Sequence, residues 1–150
     1  MVEVTSGDLF EADVDAITNP VNCVGVMGKG LALAFKKRFP DNFAAYRDAC
    51  DNGECAIGRV FVFDPGEDHS PRFIVNFPTK DDWRNPSAID FIHQGLASLI
   101  GEIDRLKIKS VALPALGCGL GGLEWGEVQA AVMTAFAARD DVKVLLFKPG

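Results

Sequence analysis

The stretch Ser110–Phe147, SVALPALGCGLGGLEWGEVQAAVMTAFAARDDVKVLLF, decides the fold. Ser110–Leu113 reads as a buried strand and stops at Pro114. A loop follows in which four of the six residues from Gly117 to Gly122 are glycine. A helix is predicted from Glu124 to about Arg139, and a last strand over Val142–Phe147. Short apolar runs alternating with helical patterns are the signature of an α/β layered domain.

Working outward, the same alternation holds along the chain. Val2–Val4 begins a first strand, and Val14–Thr18 reads as a second that ends in the turn-forming Asn19-Pro20. Leu31–Phe39 is helical and is stopped by Pro40; Asn42–Cys50 is a further helix closed by Asp51-Asn52-Gly53. Arg59–Phe63 and Arg72–Phe77 carry the β-branched and aromatic residues of strands. The longest helix follows Pro86, with Ser87 as its cap and Asp90 three residues on. Ile92, Leu96, Leu99, Ile103 and Leu106 recur at helical spacing and form one apolar stripe.

Composition bounds the partners. The 150 residues are 48% hydrophobic and 24% charged, which excludes disordered and low-complexity chains and suits one domain over 1–150. Fifteen Lys and Arg stand against 21 Asp and Glu, a net charge of -6, so a long nucleic-acid groove is not expected. A few local cations can still reach one nucleotide or strand end. The four cysteines are scattered, no CxxC occurs and neither histidine lies near them in sequence, so no metal site is expected. The opening MVEVTSGDLF has no apolar run and no stretch is long enough to span a membrane, so a cytoplasmic location with reduced thiols is the expectation.

Three constellations carry chemistry. Gly117, Gly119 and Gly122 match GxGxxG, yet only one strand follows them, and Asp140 and Asp141 precede that strand instead of ending it. A nicotinamide domain therefore has no room. The glycines still let backbone N–H groups approach phosphate oxygens, and the helix behind them adds a favourable dipole; the alternative is a plain flexible turn. Gly25, Gly28 and Gly30 form a second such loop ahead of a helix, without the Ser or Thr of a Walker loop. Two loops of this kind could clamp one diphosphate. Asp8 and Asn22 follow the first two strands, as ligand contacts to an exocyclic amine and to ribose hydroxyls, or as turn residues. Lys80, with Asp81, Asp82, Trp83 and Arg84, follows another strand, either as a solvated loop with a surface salt bridge or as the edge of a ligand cleft. A lysine there acts as a nucleophile if neutral, or steadies a leaving group as a cation. Trp83 and Arg84 are candidate contacts to a base and a phosphate of DNA.

In this order, GDLFEADVDAITNPVN (7–22), VGVMGKGLALAFKKRFP (24–40) and ALPALGCGLGGLEW (112–125) resemble the macrodomain family over essentially the whole chain. The resemblance implies a three-layer α/β/α fold around a mixed sheet of about six strands, binding ADP-ribose at its crest. NFPTKDDWRNPS (76–87) is most similar to the DarG branch, antitoxins that remove ADP-ribose from DNA bases modified by a DarT-type toxin. It implies that Asp8 and Leu9 hold the adenine, and that Asn19, Val21 and Asn22 line the distal ribose. Gly28, Gly30 and Leu31 would border the diphosphate, faced by Gly117, Cys118, Gly119, Leu120 and Gly121. Thr79 would edge the cleft, and Lys80 matches the catalytic lysine. No cofactor or metal is implied. The implied partners are ADP-ribosylated single-stranded DNA and the toxin, reached through a region beyond Gly150.

One departure stands out. Related lysine-using hydrolases carry an aspartate directly after GCGL, where this chain has Gly121. Glu124, Asp81, Asp82 or the substrate itself are the expected substitutes. A non-catalytic ADP-ribose reader and a hydrolase of protein-linked ADP-ribose are the rival functions.

Overall fold

The computed structural model describes residues 1–150. Six strands form one sheet: β1 (Val2–Thr5), β2 (Ala16–Val21), β3 (Phe61–Phe63), β4 (Phe73–Pro78), β5 (Ser110–Leu113) and β6 (Lys143–Phe147). Their order is β1-β6-β5-β2-β4-β3, parallel throughout except that β3 runs antiparallel to β4 at one edge. Four helices cover it: α1 (Gly30–Arg38), α2 (Pro40–Asp51), α3 (Ile89–Leu106) and α4 (Trp125–Ala135). This is the mixed-sheet α/β/α sandwich expected.

The strands read as near-continuous apolar runs because both faces are covered. Phe73, Val75 and Phe77 of β4 point into a core with Ile92, Leu96, Leu99 and Ile103 of α3 and Val128 and Val132 of α4. The alternate residue Ile74 joins Ile17, Ala112 and Phe147 against Phe35 of α1. Val21 packs with Tyr46 and Ala49 of α2. In α3 the glycine at 95 makes room for β4: a Cβ on it would lie 2.3 Å from Phe77 Cζ.

Two local expectations are corrected. β2 does not end at Asn19-Pro20 but continues to Val21, paired residue by residue with β4 from Ala16↔Phe73 to Val21↔Pro78. Val21 O accepts from Thr79 N at 2.8 Å, so Val21 and Asn19 face β4 and Pro20 faces the other side. There β5 pairs only Ala16 and Ile17, and the missing N–H of Pro20 breaks no ladder bond. Ser87 does not cap α3 either. The cap position is Ala88, without a side-chain bond, and Ser87 turns elsewhere.

Because β1, β2, β4, β5 and β6 are parallel, their C-terminal ends emerge on one edge. The loops that follow them build a crest at which open α/β sheets bind ligands.

Candidate active site

A cleft of about 1110 Å³ runs along that crest. Gly7, Asp8 and Leu9 after β1 form one end, and Thr79, Lys80, Trp83 and Arg84 after β4 form the other. Between them stand the two glycine loops, Gly28–Leu31 leading into α1 and Gly117–Gly121 after β5. β1 and β4 are four positions apart in the sheet, roughly 19 Å at ~4.8 Å per strand. The cleft is therefore long enough for an extended ligand to touch Asp8 and Lys80 together.

The loops present unpaired donors. Lys29 precedes α1 in extended conformation and gives no side-chain cap, so the N–H groups of Gly30, Leu31 and Ala32 have no acceptor in the chain. Across the cleft the N–H groups of Gly119 and Leu120 are likewise unpaired. Gly117 holds this second loop in shape: its φ is +75°, and a Cβ there would meet Leu123 Cδ1 at 2.6 Å. Two sets of N–H groups facing one trough, one at a helix N-terminus, constitute an anion cradle.

Asp8 caps the 3-10 turn at Leu9–Glu11, accepting from Phe10 N at 2.9 Å through Oδ1. It is exposed and keeps its second oxygen for a ligand. Asn22 lines the cleft, but its amide is mostly engaged. Oδ1 accepts from Val24 N at 3.0 Å and from Tyr46 Oη at 2.8 Å, and Nδ2 donates to Val26 O at 2.8 Å. Its main work is to shape the loop 22–26. Asn19 is not in the cleft wall at all. It is fully buried beneath it and donates from Nδ2 to Asn76 Oδ1 at 3.2 Å. The expected ribose contact of Asn19 is thus corrected to a core role, because strand alternation turns it toward α2.

Lys80 stands free of carboxylates. It enters no salt bridge, and Nζ lies 3.5 Å from the carbonyl of Trp83. Its backbone is pinned instead: Thr79 N donates to Val21 O at 2.8 Å, and Asp81 O accepts from Cys23 N at 3.1 Å. The expected substitutes for an aspartate at 121 are elsewhere, since none of Glu124, Asp81 and Asp82 lines the cleft. Asp82 takes two bonds from the Arg84 guanidinium, which hold its carboxyl down to about 2. Asp81 accepts from Asp82 N and Asn85 Nδ2. Arg84 is paired with Asp82 yet exposed, and it lies 5.4 Å from the centre of the half-exposed Trp83 ring, so guanidinium and indole together form the surface at this end. Cys118 also lines the cleft, but burial and Glu124 push its thiol up, so it stays protonated.

Sequence reading missed Lys148, a cation in the cleft wall directly after β6. Its strand-end position was the available signal. Three of the four cysteines come together in space, and Cys118 lies apart from them in the cleft wall. Cys50 lies beside Cys55 and Tyr46, whose thiol and hydroxyl draw the Cys50 thiol below its ordinary value, whereas burial pushes Cys23 up to about 11. No three potential ligands come together in a way that could hold a metal ion. At neutral pH, iodoacetamide should label Cys50 first and leave the buried Cys55 intact, read by peptide mass spectrometry. Uniform labelling of all four thiols would refute the pairing.

The fold and the two-loop cleft define a class of protein, and the macro domain family model matches residues 18–132: the chain belongs to the macro domain family. Within it, the chain superimposes on the macrodomain of Thermus aquaticus DarG with a TM-score of 0.95 at 48% identity, covering 99% of both chains. It is 50% identical over 149 residues to the DNA ADP-ribosyl glycohydrolase of Mycobacterium tuberculosis, covering 99% of this chain and 42% of that protein. It also matches Thermosipho africanus DarTG in complex with ADP-ribose, with a TM-score of 0.91 and 36% identity over 99% of this chain and 41% of that one. The chain thus spans about two fifths of the length of such curated relatives. No helix is long and apolar enough to cross a membrane.

Proposed function

We propose that this macrodomain binds ADP-ribose along the crest and hydrolyses the bond between its C1″ carbon and a base of single-stranded DNA. In this reading residues 1–150 are one domain of a longer antitoxin acting against a DarT-type toxin. The observation that carries it is Lys80, a lysine with no carboxylate partner at the end of a cleft whose middle offers unpaired N–H donors. The likeness to the M. tuberculosis glycohydrolase and to DarTG with ADP-ribose supports the same substrate.

The two loops hold the diphosphate and Asp8 accepts from the adenine amine, which fixes C1″ near Lys80. Asp8 is the only acidic side chain in the cleft wall, and it lies at the opposite end. The cleft wall beside Lys80 holds no carboxylate or histidine, which favours the lysine itself as the nucleophile. Its amine attacks C1″, the C1″–base bond breaks, and that bond's electron pair leaves with the base, which takes up the proton that the attacking nitrogen gives up. Water then attacks C1″, releasing ADP-ribose and restoring the amine. Trp83 offers its half-exposed face to a base of the strand.

The test is an ADP-ribosylated single-stranded oligonucleotide incubated with the protein, with acid-quenched samples weighed during turnover. The expected products are ADP-ribose and intact DNA, with a fraction of the chain heavier by one ADP-ribosyl group. Release without the adduct would assign Lys80 the cationic, leaving-group role instead. Tight ADP-ribose binding with no release would leave a reader module and refute the enzyme.

A further inference from the structure

We propose that Ser87 is a positioning residue for Lys80, taking in space the place that a side chain at position 121 would occupy. The inference deepens the reading of Lys80 as the reacting group and rests on it.

Ser87 precedes α3 yet makes no bond to that helix's N–H groups. Its hydroxyl donates to Thr79 O at 2.6 Å, and its N–H donates to Gly121 O at 3.0 Å. One residue thus ties the backbone just before Lys80 to the second glycine loop. Thr79 is nearly fully buried, so its carbonyl has no ready exchange for water if the hydroxyl is lost.

The glycines opposite are cut to fit Ser87. Gly121 has no positive φ, so its backbone would accept any residue. Space is what forbids one: a Cβ at 121 would lie 2.6 Å from Ser87 Oγ and 3.1 Å from Ser87 Cβ. A Cβ at Gly117 would approach the same hydroxyl to 3.2 Å. Lys80 Cε is 3.9 Å from the Cβ position at 121, so Ser87 and Lys80 both border the space that a side chain there would enter. Thr79 is held from both sides, by Val21 O at its N–H and by Ser87 at its carbonyl, and this fixes the direction in which Lys80 leaves β4. Ser87 does not line the cleft and touches no substrate, so it acts only through Lys80 and the loop.

The experiment compares wild type, Lys80→Ala, Ser87→Ala, Gly121→Ala and the Ser87→Gly/Gly121→Ala pair. Ser87→Ala should lower kcat for ADP-ribose release about 10- to 100-fold, with KM and ADP-ribose Kd unchanged within about 2-fold. Gly121→Ala should match that loss, and Ser87→Gly should relieve the crowding, so the pair unfolds at a higher temperature than Gly121→Ala alone. A carbon-detected resonance of the Lys80 ε-methylene, assigned by its loss in Lys80→Arg, reads position without turnover. It should shift in Ser87→Ala while the other lysines stay put. Wild type that releases nothing overturns the glycohydrolase reading, and the resonance then decides on Ser87 alone. An unmoved Lys80 resonance, or an Ser87→Ala enzyme with wild-type kcat, overturns the positioning role.

Discussion

Lys80→Ala is expected to lower ADP-ribose release from modified single-stranded DNA by about 10³-fold or more, ~4 kcal/mol of transition-state stabilisation, while ADP-ribose still binds. The asymmetry follows from where the contacts lie. In the proposed binding mode affinity comes from the N–H groups of Gly30, Leu31, Gly119 and Leu120 and from Asp8, none of which depends on Lys80. The proposed mechanism makes the rate depend on one amine at the end of the cleft that no carboxylate engages. Lys80→Arg separates the roles further. A guanidinium keeps the charge but cannot attack a carbon, so it should be as inactive as alanine if the lysine is the nucleophile. Partial activity in Lys80→Arg would favour electrostatic stabilisation of the departing base. Calorimetric titration with ADP-ribose beside the release assay reads both halves. A parallel loss of binding and rate in Lys80→Ala would mean the lysine only holds the ligand.

The amino-acid pattern carried most of the fold and the chemistry-bearing ends of the site. The α3 stripe is buried, fully from Ile92 to Ile103 and partly at Leu106, because a period near 3.6 can bury only one helical face. The glycine loops were legible because close backbone approach needs glycine, whereas the residues around Lys80 alone left a solvated loop or a cleft edge, and only the family resemblance gave the lysine its expected role. What stayed hidden depends on contacts distant in sequence. Ser87 reads locally as a cap, and nothing near it tells that its partners are Thr79 and Gly121. Asn19-Pro20 reads locally as a turn. It is a strand because β4 pairs along its whole length on one side while β5 stops short on the other. Asn19 accordingly moves from the ligand to the core.

That core amide network sets the second large effect. Asn76→Ala is expected to destabilise the domain by about 3–5 kcal/mol, lowering Tm by roughly 10–15 °C. Asn76 is fully buried on the α2 face of β4, opposite Asn19 of β2. Its Oδ1 accepts from Asn19 at 3.2 Å and from Asn42 of α2 at 3.1 Å; its Nδ2 donates to Asn42 Oδ1 at 2.9 Å and to Phe61 O at 3.2 Å. Alanine strips all four bonds at once. Asn42 loses a donor and an acceptor partner, and Asn19, whose Oδ1 is already unpaired, keeps only the Met27 sulfur at 3.7 Å. Each orphaned buried group costs ~1–3 kcal/mol, less than additively within one network. A domain of ordinary stability, ~5–15 kcal/mol, survives this with little to spare. The loss also reaches the site, since β2 and β4 carry Asn22 and Lys80 at their ends, so saturating ADP-ribose should recover part of the Tm. Asn42→Ala, which breaks two of the four bonds, should cost about half as much. A Tm drop under about 3 °C for Asn76→Ala, near 1 kcal/mol, would mean that the strands hold their ends in register by ladder bonds and apolar packing alone.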